Sequence, residues 1–168
     1  MVIIALFILG IGSRLVPHLP NFSPIIAIAL FSGAYLNKKH SLWVPITLYV
    51  ISEFIIGLHD VFLFTSLSVV AISILGRILR KRRSMPANLI YSLFSAVLFF
   101  MVSNFGVWLV GWYPPTFEGL VQCYVNAIPF FRTSIVANLV YIAALTSVFN
   151  LVTAKVENKR IRFALLTN

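Results

Sequence analysis

Long apolar runs follow one another along the chain with only short polar breaks between them. They are roughly Val2–Val16, Phe22–Leu36, Leu42–Leu58, Val61–Leu79, Ala87–Trp112 and Ile128–Thr153. Inside hydrocarbon every backbone N–H and C=O must be satisfied internally, which leaves helices or closed barrels. A barrel strand would alternate apolar and polar residues, and stretches such as Ile25–Leu30 and Val61–Phe64 do not. With 60% hydrophobic and 10% charged residues, the chain lacks the polar surface of a small soluble domain, where about a quarter of residues are charged. The same composition excludes disorder. Cys123 is the only cysteine, which excludes a disulfide scaffold. The expected fold is all-α and integral to a membrane. A single domain over 1–153 would carry six transmembrane helices, and 154–168 would form a basic tail.

The breaks agree with six segments. Pro17, Pro20 and Pro24 divide the first two runs, and Asn37-Lys38-Lys39-His40 follows the second. Gly57-Leu58-His59-Asp60 and Arg80-Lys81-Arg82-Arg83, with Pro86, mark the next two. The only long gap, Tyr113 to Ala127, holds Pro114, Pro115 and a short stretch, Phe117–Asn126, expected at the membrane interface. Crossing ~30 Å of hydrocarbon takes about 20 helical residues, a length the last three runs reach. The first two are short and need burial against neighbours or a thinner bilayer. Val2–Val16 lacks the basic flank and A-x-A cleavage site of a signal peptide, so a retained helix is expected.

The net charge of +9 could suggest nucleic acid on a soluble chain, but here the cations lie in clusters between apolar runs. Lys38, Lys39, Arg77, Arg80, Lys81, Arg82, Arg83, Lys155, Lys159, Arg160 and Arg162 fall on one side, eleven of 13. Only Arg14 and Arg132 fall on the other. The positive-inside rule then places both termini in the cytoplasm, the basic groups beside anionic lipid headgroups, and no nucleic-acid partner is expected. The expected location is the inner or plasma membrane, crossed several times.

The outer side receives Arg14, His18, Asn21, Glu53, His59, Asp60, Glu118 and Arg132, with Phe22, Trp108, Trp112, Tyr113 and Tyr124. Anchoring alone does not require that mixture. Glu53 lies about 7 Å deep, Asn104 about 12 Å and Asn138 about 9 Å, by helical rise from the outer end of each run. Such groups usually face a bundle interior or a cavity. Helical spacing aligns Tyr49, Glu53, Gly57 and Asp60, then Asn104, Trp108 and Trp112, then Ser134, Asn138 and Tyr141. Three stripes at similar depth suggest an outward pocket, walled by aromatics and floored by Glu53, Asn104 and Asn138. The expected lining is His18, Asn21, Glu53, Asn104, Trp108 and Arg132. Arg14, His59, Asp60, Trp112, Tyr124 and Asn138 are expected behind it.

Each residue also has a plainer role. Glu53 pairs with Arg14 or Arg132, or contacts a ligand. Asn104 and Asn138 bond across helices, or line the pocket. Trp108, Trp112 and Tyr113 form an interfacial belt, or stack on a ligand. Tyr113-Pro114-Pro115-Thr116 reads as a rigid turn, and Cys123 as a small apolar side chain. His18 and His59 lack metal-helix spacing, so neither a metal nor a cofactor is expected. Ala29 and Gly33 belong to a small-xxx-small pattern, which serves packing within the bundle or docking to another subunit.

Several segments carry a resemblance. Pro17-His18-Leu19-Pro20-Asn21-Phe22-Ser23-Pro24-Ile25 leads into Ala29-Leu30-Phe31-Ser32-Gly33-Ala34. Ser103-Asn104-Phe105-Gly106-Val107-Trp108, Tyr113-Pro114-Pro115-Thr116, Gly119-Leu120-Val121-Gln122-Cys123-Tyr124 and Ala127-Ile128-Pro129-Phe130-Phe131-Arg132 follow. Together they resemble a family of uncharacterised six-span bacterial membrane proteins, itself similar to the substrate-binding S components of energy-coupling factor (ECF) transporters. The resemblance implies a six-helix bundle that binds a vitamin-like micronutrient outside and docks on a transmembrane coupling subunit driven by ATPases. The family pattern has Asp where Glu53 and Asn138 stand. The nearest match to the S-component docking pattern is Ala29 to Gly33, on the second run rather than the first.

The function expected is therefore small-molecule uptake without catalysis. A structural protein of the cell envelope is the alternative. An intramembrane enzyme using Glu53, Asp60 and the outer histidines ranks last, because no nucleophile–base pair sits at recognisable spacing.

Overall fold

A computed structural model describes the backbone of residues 2–17 and 19–166, and side chains as far as 156. His18, expected in the pocket, lies outside the described residues. The described chain is all helical: α1 (Val2–Leu15), α2 (Ile25–Tyr35), α3 (His40–Ile56), α4 (Phe62–Leu79), a 3-10 turn (Arg80–Arg82), α5 (Met85–Leu109) and α6 (Phe117–Leu166). Short connections make successive helices antiparallel. The C-terminal ends of α1, α3 and α5 therefore meet the N-terminal ends of α2, α4 and α6 at one end of the bundle.

α2 sits at the centre. Every residue from Ile25 to Ala34 is buried, as expected of a helix that is apolar on all sides. Its closest neighbour is α4. A Cβ on Gly33 would lie 2.2 Å from the Ser73 carbonyl oxygen, and one on Gly76 would lie 2.3 Å from that of Leu30. Only glycine allows the two backbones this near. Ala29 and Gly33 thus face α4 and the core, not a separate subunit, and the docking role expected for them is corrected by their burial.

The basic cluster has internal work. Arg80 donates to the carbonyls of Gly33 and Leu36, capping the C-terminal end of α2, where cations also suit the helix dipole. Arg77 donates to Ser41 Oγ at 2.8 Å and to the Lys38 carbonyl at 3.0 Å, clamping the α2–α3 turn. Ser84 then accepts from the Ala87 amide and starts α5.

The last helix departs from the reading at 128–153. It begins at Phe117, where Thr116 Oγ1 accepts from the Gly119 amide at 3.1 Å, and runs on through Pro129. One proline removes one intrahelical bond, which a long packed helix absorbs. The stretch expected as a separate interfacial piece is simply its first turns. A Cβ on Gly119 would lie 2.1 Å from the Pro114 carbonyl oxygen, so the 113–116 turn packs directly on this helix.

Three helical segments are long and apolar enough to cross a membrane: Phe62–Arg82, Met85–Leu109 and Phe117–Val156. α1, α2 and α3 are apolar but shorter. The outward faces carry Ile8, Trp43, Leu63, Leu67, Phe94 and Leu151, all exposed, whereas Ser41, Ser68, Ser73, Ser92 and Thr146 are buried. Apolar outside and small hydroxyls inside is the arrangement of helices packed in lipid, where interior Ser and Thr let backbones approach. These features mark a membrane protein.

Candidate functional site

At the end of the bundle away from the basic cluster lies a cavity of about 440 Å³, lined from α1, α3, α4, α5, α6 and the segment before and into α2. That volume falls within the range of small-molecule sites. Its apolar wall includes Ile25, Ile26, Phe99, Phe100, Phe130 and Phe131. Phe100 and Phe131 stack with centroids 4.4 Å apart.

The polar side is built from the ends of α1 and α3. Arg14, on the last turn of α1, donates to Ser52 Oγ and to Glu53 Oε1, each at 2.6 Å. Glu53 Oε2 meets His59 Nδ1 at 2.6 Å. Glu53 is only 1% exposed and Arg14 19%, so the carboxylate stands behind the cavity with its partners in front. The loop makes this contact feasible. Gly57 ends α3 at φ 116 and ψ 134, a conformation largely reserved for glycine, and the chain turns back to bring His59 over Glu53. Tyr49 donates its hydroxyl to Thr65 Oγ1 at 2.6 Å, and the Arg14 guanidinium lies 5.4 Å above the Tyr49 ring centre. Thr65 Oγ1 is also 3.4 Å from His59 Nε2. One continuous polar network therefore runs from Ser52 to Thr65 along one wall.

Of the residues expected at the site, Arg14, Asn21, His59 and Asn104 line the cavity. Asn21 adopts a positive φ of 61°, tolerable for asparagine at a turn. Asn104 Nδ2 bonds the Phe100 carbonyl one turn back at 2.8 Å. Glu53 contributes through Arg14 and His59, and its pairing choice falls on Arg14 rather than Arg132.

Asn138, Trp108 and Arg132 are corrected as pocket residues, while Trp112 and Tyr124 are expected only behind the lining. Asn138, 1% exposed, donates to the Ser92 carbonyl at 2.6 Å and joins α5 to α6, so it does not floor the cavity. Trp108 donates to the Pro114 carbonyl at 3.0 Å and pins the 113–116 turn. Trp112 donates to Asp60 Oδ2 at 3.1 Å and ties two loops together. Tyr124 donates to the Met101 carbonyl at 2.7 Å, and Arg132 is exposed. None of these five is among the described lining residues. Asn138, Trp108, Trp112 and Tyr124 each find their partner on a neighbouring helix, turn or loop.

Thr65 and the four phenylalanines were not singled out by sequence reasoning. In helices apolar on every face, a cavity-lining Phe carries no mark that separates it from a lipid-facing one. Thr65 is distinguished by its contacts with Tyr49 and His59, which the fold creates. Glu53 and His59 are two groups of a kind that could hold a metal, but among the described residues no set of three His, Cys, Asp or Glu side chains comes together.

The arrangement can bind a small amphipathic molecule. The rings offer an apolar face, while Asn104, Ser103 and Ser134 offer hydrogen bonds. Arg14 and Glu53 neutralise each other, so this pair presents no uncompensated charge. In comparisons with known proteins, residues 1–160 match the profile of a "Family of unknown function". No curated protein and no solved structure matches.

Proposed function

The chain belongs to the family of unknown function DUF6580, and from that footing we propose that it is the substrate-binding membrane component of an uptake transporter for a vitamin-like small molecule. The observation that carries this reading is the cavity of about 440 Å³, with polar groups converging on it from several helices at the end opposite the basic cluster. Positive-inside orientation puts Lys38 and the 77–83 cluster in the cytoplasm and the cavity toward the exterior. On this reading the six helices make six crossings of a bacterial inner membrane, with both termini cytoplasmic. The resemblance of the 17–34 and 103–132 motifs to proteins similar to ECF S components supports it.

The ligand class follows from the lining: small, uncharged overall, with a ring for Phe99, Phe100, Phe130 and Phe131 and hydrogen-bonding groups for Asn104 and its neighbours. The protein catalyses nothing itself. Its partners are a transmembrane coupling subunit and cytoplasmic ATPases, which dock on a face other than Ala29 and Gly33.

Thermal-shift screening of purified protein against a panel of water-soluble metabolites tests this. A ligand should raise the melting temperature of the wild type and lose that effect in Asn104→Leu. The substitution removes only a bond to its own helix, so the fold should survive it. If no metabolite shifts the melting curve, the uptake reading fails. An envelope scaffold is then favoured, a reading that draws on the enclosure of Glu53 between Arg14 and His59.

A further inference from the structure

A second cavity lies at the basic end. It measures about 260 Å³ and is lined by Tyr35 of α2, residues 83–85 and Asn88 at the start of α5, and Phe149 and Asn150 of α6. Three observations there point to one kind of ligand.

The first is a cation whose Nη groups make no hydrogen bond among the described residues. Arg83 donates through Nε to the Arg80 carbonyl at 3.2 Å, and its guanidinium lies 5.3 Å from the Tyr35 ring centre. Among the described residues no carboxylate pairs with it, because the ion pairs formed there belong to Glu53 at the other end. Arg80, Lys81 and Arg82 adjoin it in the chain, so the local field is positive.

The second is an orphaned acceptor. Asn88 is 1% exposed, and its Nδ2 donates to the Tyr35 hydroxyl at 2.9 Å. Its Oδ1 is buried without a hydrogen-bond partner among the described residues. A buried, unsatisfied carbonyl calls for a donor. The third is an apolar edge: Met85 and Phe149 line the cavity, and Met85 is exposed.

We propose that this cavity binds the phosphodiester headgroup of an anionic, hydroxyl-bearing phospholipid, with Arg83 on the phosphate and Asn88 on the headgroup hydroxyl. A guanidinium suits phosphate oxygens through charge-assisted bonds. An amide oxygen accepts from a hydroxyl, which the phosphodiester group itself lacks and the headgroup alcohol supplies. Exposed Met85 and the adjoining Phe149 give the start of the acyl chains an apolar surface, which a free phosphate ester would leave unused. The site stands apart from the larger cavity and does not depend on the uptake reading.

The test is lipid binding to the full chain in a neutral detergent, measured by thermal shift and by native mass spectrometry. The probes are phosphatidylglycerol, phosphatidylcholine and soluble glycerol 3-phosphate. Phosphatidylglycerol should bind one molecule per chain and stabilise the wild type, and phosphatidylcholine should not. Arg83→Gln should weaken that binding roughly thirtyfold, as for loss of hydrogen bonds to a charged group. Arg82→Gln, outside the lining, should cost no more than about fivefold, the effect of one basic charge at an anionic surface. Equal losses in the two variants would show diffuse attraction and overturn the site. Equal binding of phosphatidylcholine would overturn it too. If glycerol 3-phosphate stabilises as well as the lipid, the lipid assignment is overturned and a soluble phosphate ester takes its place.

Discussion

Arg14, Glu53 and His59 are joined in series behind the larger cavity, and Glu53 has almost no contact with solvent. Removing Arg14 would leave the buried carboxylate with His59 alone, and breaking a buried ion pair costs about 3 kcal/mol or more. Arg14→Leu should therefore lower stability by about that amount, whereas Arg14→Leu with Glu53→Leu should recover most of it. Thermal unfolding in detergent measures both, and a wild-type melting point for Arg14→Leu would refute the account. The pairing was legible in the sequence as one of two choices, because only two cations lie on the side of Glu53. His59 as the second partner was not, since it depends on the turn at Gly57. Asn138 and Trp108 show the opposite failure. Depth along a helix is readable from the sequence, but the direction a side chain faces depends on the neighbour. Here the neighbours offer the Ser92 and Pro114 carbonyls.

Among the elements, the α2–α4 contact is the most demanding. Gly33→Ala would set a methyl 2.2 Å from the Ser73 carbonyl oxygen, and overpacking against backbone costs about 1–3 kcal/mol or prevents folding. Gly12→Ala in α1 meets nothing within 4 Å and should gain up to about 1 kcal/mol, because alanine is the better helix former. Melting the two variants side by side checks the contrast. Equal stability would mean that the close approach of α2 and α4 is not held. The small-residue pattern at Ala29 and Gly33 was visible in the sequence, but its partner was not. Apolar side chains surround α2 on every side, so no stripe shows which helix it meets. The start of α6 was hidden for a different reason. Two prolines and a long gap looked like a break, while the Thr116 cap that begins the helix is a weak local signal.

At the scale of the molecule, the alternation of apolar runs and short turns made the up-and-down order readable, and the charge asymmetry distinguished the two ends. The cavity and the basic cluster accordingly fall at opposite ends. Single cysteines in a Cys123→Ala background test how these ends lie in the membrane. A cysteine at Trp112 should react with an impermeant thiol reagent from outside intact cells, and one at Arg82 only after lysis; labelling of both from one side would refute the orientation. The short central helix adds something about access. α2 has 11 residues and rises only about 16 Å, about half the ~30 Å of hydrocarbon. Arg80 ties its C-terminal end to the basic side, so the whole shortfall lies at the other. On the six-crossing reading, the irregular backbone around Asn21 would sit below membrane level, where it persists only against protein or water. On that reading a solute would meet the exposed side chains of Asn21 and His59 first, and this polar rim would sort arrivals before the phenylalanine wall did.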